Sequence, residues 1–174
     1  MNDQPGVSAA MLYKSTAKST ELATVDYVDL DRFMGDWYVI ANIPTPFEKN
    51  IYNAVESYRL AKPHVVATRF HYRQGGFDGP QKAMEATGFV QDTQTNARWG
   101  MQFIWPLKLD YRVIHLADDY GQTIIGRQRR DFVWIMARTP SLDAAVLEDL
   151  IQRMEGVGYT RDKLQRVPQH WPPA

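Results

Sequence analysis

No cysteine occurs anywhere in this chain of 174 residues. Disulfides, thiol nucleophiles and zinc–thiolate centres are therefore excluded together, and so is lipid attachment through an N-terminal cysteine. An excess of either charge is missing too. Twenty Lys and Arg balance 20 Asp and Glu, so the formal net charge is zero. Nucleic-acid binders usually carry a basic surplus, and none is expected as a partner here. Long apolar runs are also absent: no segment spans a bilayer, and MNDQPGVSAAMLYKSTAKS lacks the apolar core of a secretory signal. The chain as given reads as soluble.

Catalytic signals are equally sparse. His64, His71, His115 and His170 are scattered without metal-ligand spacing. There is no G-x-S-x-G nucleophile turn and no glycine-rich phosphate loop after a strand. The chain is expected to be no enzyme and to use no metal or cofactor. What it does have is 44% hydrophobic and 23% charged residues, enough for one globular domain with a core.

Residues 1–24 are rich in Ser, Thr, Ala and Lys and read as a flexible tail. VDYVDLDRFMG then reads as a helical turn capped by Asp29, with Leu30, Phe33 and Met34 on one face and Gly35 at its end. After Gly35 the period becomes two. Strands are predicted for WYVIANI and for residues 53–60, 65–73, 82–91, 97–105, 110–117, 122–128 and 131–138, separated by Pro, Gly and Asp turns. Eight successive strands without a helix between them point to an antiparallel meander, closed as a barrel or folded as a sandwich. A helix over 141–155 follows, with Ser141 as N-cap and an apolar stripe of Leu142, Val146, Leu147, Leu150, Ile151 and Met154. It would pack outside the strands. LQRV, 164–167, adds a short edge strand, and 169–174 read as a C-terminal tail.

Three motifs in order carry a family resemblance. Gly35-Asp36-Trp37-Tyr38 opens the first strand, Asp119-Tyr120 turns between the sixth and seventh, and Arg138 ends the eighth in WIMARTP. Over about residues 26–168 the chain resembles the lipocalins, and within them the bacterial outer-membrane lipoprotein lipocalins, with apolipoprotein D and the plant temperature-induced lipocalins as relatives. The resemblance implies an all-β, eight-stranded up-and-down barrel (25–168) with a C-terminal helix outside, open at one end. It implies storage or transport of a fatty acid or lysophospholipid, with peripheral membrane contact for lipid exchange, as a monomer or homodimer. It suggests the periplasm or cell envelope, although the lipidation cysteine of typical bacterial members is missing. Haem, a carotenoid or a sterol is the alternative ligand. An enzyme pairing Glu56 with His115 is the rival from another class.

Under this reading Gly35, Trp37, Asp119, Tyr120 and Arg138 are structural: Trp37 plugs the closed end and the Arg138 guanidinium lies across its ring. Alternation then assigns inward faces: Val39 and Ala41; Ala54, Glu56 and Tyr58; Val66, Thr68, Phe70 and Tyr72; Met84, Ala86 and Val90; Met101, Phe103 and Trp105; Tyr111, Val113 and His115. A one-residue bulge would flip any of these faces. From the residues alone they either fill a core or line a cavity; the resemblance selects the cavity. Glu56 is the odd member. A carboxylate among apolar walls is costly, so it turns outward, sits at the rim, or pairs with an inward Arg or with His115. Arg69, Arg73, Arg98 and Arg112 are candidates for holding an anionic head group, and Phe47 and Ile51 for lid contacts.

Overall fold

A computed structural model describes residues 20–173. All eight expected strands form: β1 (Gly35–Ile43), β2 (Ile51–Lys62), β3 (Val65–Gln74), β4 (Gln81–Val90), β5 (Arg98–Gln102), β6 (Leu109–Leu116), β7 (Gln122–Gly126) and β8 (Val133–Ala137). Each pairs antiparallel with the next, and β1 bonds to both β8 and β2, which closes the barrel. Closure leaves none of the eight with a free edge along its whole length. A ninth strand, β9 (Gln165–Arg166), pairs against the outer half of β1, as LQRV suggested.

A short helix, α1 (Leu30–Phe33), precedes β1, and the Asp29 carboxylate accepts from the Asp31 and Arg32 amides as its N-cap. The later helix, α2, spans Ala144–Gly156. Its N-cap is Asp143 rather than the expected Ser141, and its buried residues are Leu147, Leu150 and Met154, while Val146 faces out. The expected helical start at 141 is thus three residues early.

Two apolar cores share the barrel wall. One fills the interior and includes Phe33, Trp37, Val39, Tyr58, Phe70 and Trp99. The other lies between the wall and α2, with Ile40, Ala41, Ile124, Ile135, Leu150 and Met154. Two bulges decide which core a residue joins. In β1, Val39 opposes Met136 but Ala41 opposes Ile135, so Ile40 is the extra residue and Ala41 moves to the outer core. In β6, Val113 opposes Ile125 but His115 opposes Ile124, which puts His115 outside, under the charges of Arg153 and Asp149 on α2. Strict alternation had placed Ala41 and His115 inside; an inserted residue reverses parity from that point on.

The tail assignment also needs correction. Residues 1–19 lie outside the described residues, but Leu22 is 1% exposed and its amide donates to the Gln128 side chain. The Val25 amide donates to the Val113 carbonyl. Residues 20–24 therefore belong to the packed domain. At the other end Gln169 donates to the carbonyls of Val39 and Ala54, and Trp171 packs edge-on against Tyr38. That segment has no regular structure, yet it is tied to the barrel.

Candidate functional site

The two barrel ends differ. At the closed end the Arg138 guanidinium lies 3.8 Å from the centre of the Trp37 ring. It donates to the carbonyls of Asp36, Arg32, Phe33 and Met34, which are left over where α1 turns into β1. The Trp37 indole N–H donates to the Phe33 carbonyl, and Trp37 is fully buried. Gly35, at φ +97°, makes the turn; a Cβ there would meet Arg138 Nη1 at 3.3 Å. The Tyr120 hydroxyl accepts from the Asp29 amide, and Arg32 lies over its ring. The Asp119 carboxylate accepts from the Gly121 amide.

Above this plug lies a cavity of about 500 Å³, within the range of roughly 300–1,000 Å³ usual for small-molecule sites. Phe70, Met84, Met101, Ile125, Trp134 and Met136 supply its apolar walls. Tyr58 and Tyr111 reach it from the side of the plug, where their rings pack with Trp99 and, for Tyr58, Phe33. Their hydroxyls hydrogen-bond at 2.6 Å. Burial pushes both phenols well above their ordinary pKa, so they stay neutral.

Glu56 faces inward. It stands opposite Trp37 on β1 and Phe70 on β3, and it lines the cavity. The residue as a whole is half-buried. Burial, assisted by the Glu48 charge, pushes its pKa up to about 8. None of the alternatives from sequence holds: no bulge turns it out, and no Arg or His pairs with it among the described residues.

The mouth is built by loops 44–50, 75–80, 103–108 and 127–132. The first folds inward. Glu48 is 4% exposed; its carboxylate accepts from the Thr45 amide and from the Trp134 indole, and its carbonyl accepts from Gln165. Phe47 lines the cavity from this loop while remaining 73% exposed. Arg127 and Phe132 line it from the opposite loop, with Arg127 3.5 Å from Asp131.

Of the expected cavity residues, Glu56, Tyr58, Phe70, Met84, Met101, Phe103 and Tyr111 line it. Val39, Ala54, Val66, Tyr72, Val90 and Val113 are interior but buried in the surrounding core. Thr68 and Ala86 border a second hollow, beside the part of β4 that has no partner on β5. Trp105 is 82% exposed, because β5 ends at Gln102 and the chain leaves the wall. Ile51 is buried in the interior core rather than placed in a lid. None of the candidate arginines lines the cavity: Arg112 pairs with Asp110, Arg73 donates to the Gly79 carbonyl, Arg69 is exposed on the outer face of β3, and Arg98 stands opposite Arg112 in the β5–β6 ladder. Sequence reasoning missed Glu48, Ile125, Arg127, Trp134 and Met136. The indole of WIMAR and the cation of GRQRR were visible, but no periodicity shows which loop folds over a mouth.

Among the described residues no cluster of His, Asp or Glu is arranged to hold a metal ion, and no helix is long and apolar enough to cross a membrane. Glu56 and His115 lie on opposite faces of the wall, so the geometry does not assemble them as a catalytic pair.

Residues 28–169 match the family model of the lipocalin-like domain. The chain is 27% identical over 161 residues to temperature-induced lipocalin-1 of Arabidopsis thaliana, covering 86% of this chain and 83% of the relative. It is 24% identical over 151 residues to the outer membrane lipoprotein Blc of Escherichia coli, covering 85% and 83%. Among solved structures it is similar to insecticyanin from the tobacco hornworm Manduca sexta, at a TM-score of 0.67 and 16% identity, with 84% of each chain covered.

Proposed function

This chain belongs to the lipocalin-like family, a family of binders of small hydrophobic ligands, and from that premise we propose that its cavity holds an acyl-chain lipid of the fatty-acid or lysophospholipid class. The observation that carries this reading is the lining. Three methionines, Met84, Met101 and Met136, line the cavity with Phe70 and Ile125. Thioether side chains adapt to a flexible chain, and each buried methylene contributes about 0.8 kcal/mol. Arg127 is the one cation among the described cavity-lining residues, 3.5 Å from Asp131, and would share its guanidinium with a phosphate or carboxylate head.

Delivery fits the same picture. Ile104, Trp105 and Leu107 project from the loop beside the mouth and are largely exposed. Aromatic and aliphatic tips on such a loop suit contact with a lipid surface, from which a single-chain lipid would enter. An envelope setting, like that named for the bacterial relatives, would bring such lipids within reach. The role is storage or transport rather than turnover.

Native mass spectrometry and organic extraction of the purified protein test this reading. The expected result is an acyl lipid bound one per chain, displaced by added dodecanoic acid. A co-purified coloured group, or failure to bind any acyl probe, would overturn it.

A further inference from the structure

The floor of the cavity is polar, which a plain acyl tail does not require. Three side chains bring hydrogen-bonding groups to it: Glu56, Tyr58 and Tyr111. The two tyrosines use one O–H on each other, so one O–H and further lone pairs stay free. No hydrogen bond or ion pair reaches the Glu56 carboxyl among the described residues; burial and the Glu48 charge are what act on it.

We infer that the ligand carries a neutral oxygen function, a hydroxyl or carbonyl, at its buried end, and that Glu56 is the residue that selects it. This rests on the reading that the cavity holds a hydrophobic ligand. A methyl terminus would cover these groups and leave them dry, each at the cost of an unmade hydrogen bond. A hydroxyl both donates and accepts, which matches a protonated carboxyl beside a free phenol. An anionic terminus is disfavoured, since it would be buried without a counter-charge. Arg138, whose charge is felt at Tyr58, is committed to four main-chain carbonyls and the Trp37 ring. The mouth and the floor therefore ask for different chemistry: a charged head at Arg127 and a neutral oxygen at Glu56.

The test holds the head constant and varies the buried end. Dodecanoic, ω-hydroxydodecanoic and dodecanedioic acids are titrated calorimetrically into the wild type, Glu56→Gln and Glu56→Leu, each first checked for folding by thermal melting. Amide and carboxyl both donate and accept, so Glu56→Gln keeps the wild-type preference for the hydroxy acid over the plain acid. Glu56→Leu lowers that preference by about tenfold, the worth of one matched hydrogen bond, and the diacid is the weakest ligand of the wild type. An unchanged hydroxy-to-plain ratio in Glu56→Leu, or a diacid that binds the wild type most tightly, overturns the inference while the lipid-cavity reading stands. Failure of all three acids to bind the wild type overturns both.

Discussion

Trp37 and Trp105 mark the two ends of one barrel and have almost nothing else in common. Trp37 is sealed, hydrogen-bonded through its indole and covered by a guanidinium that itself holds four main-chain carbonyls. Trp105 is 82% exposed on a loop whose neighbours Ile104 and Leu107 are also bare. Between them the lining passes from the Glu56–Tyr58–Tyr111 floor through methionine walls to Arg127 at the mouth. The closed end places its large side chains where they satisfy the backbone. The open end leaves them where they can meet something else. The same residue type thus stabilises at one end and is free for contact at the other.

The largest effect should come from breaking the closed end. Trp37→Ala removes a fully buried indole and should cost about 3–5 kcal/mol in equilibrium denaturation. Arg138→Ala leaves the carbonyls that end α1 short of donors and should cost about 2 kcal/mol or more. Stability unchanged by either substitution would show that the plug is not what holds this end.

The floor should show a smaller, pH-dependent effect. In the unfolded chain the Glu56 carboxyl ionises near its ordinary value of 4.5, but in the fold it keeps its proton up to about 8. Between those values the native state binds more protons than the unfolded one, so stability falls as pH rises through the window and levels off above it. Glu48 is the charged group that acts on Glu56, and the neighbouring Tyr58 and Tyr111 stay neutral throughout. His71 and His115 have lowered values and act in the other direction, losing stability towards acid. The difference between the wild type and Glu56→Gln isolates the carboxyl. Glu56→Gln should be more stabilising at about pH 8 than at about pH 5, by an amount on the order of a few kcal/mol. A gap independent of pH would mean that Glu56 is ionised in the fold.

The closed end was far more legible in the sequence than the open one, because the resemblance carries it. Gly35, Trp37, Asp119, Tyr120 and Arg138 were placed by three motifs in order and not by spacing alone: Arg138 meets carbonyls more than 100 residues away, and Tyr120 meets Asp29 across 91. The inward faces of β3 and β4, and of β2 from Val55 to Leu60, were legible too, because those stretches pair without an inserted residue. Ala41 and His115 were misplaced because a single bulge carries no composition signal, yet it reverses every later side chain. The mouth was the least legible part. Glu48 is buried where its loop meets Trp134 and Gln165, partners 86 and 117 residues away. Trp105 left the wall because β5 stopped early, after Gln102, whereas Phe103 still lines the cavity.

The smallest effect on stability, and the sharpest on the comparison, should come from the mouth. Replacing Phe103, Ile104 and Trp105 together by serine removes exposed apolar surface and leaves the barrel ladder intact. Stability should therefore stay within about 0.5 kcal/mol, against the several expected for one tryptophan at the other end. Binding to anionic phospholipid vesicles should fall several-fold in co-sedimentation, and the wild type's tryptophan emission should shift to the blue on vesicle addition, as an exposed indole enters the interface. Trp37 and Trp99 are already fully buried, whereas Trp171 is exposed as well as Trp105, so a shift that is present in the wild type and lost in the triple variant points to the exposed loop. Equal vesicle binding by the triple variant would place any lipid-surface contact elsewhere on the chain. A loss of stability as large as that of Trp37→Ala would mean that the loop is packed in solution and that the two ends follow one rule after all.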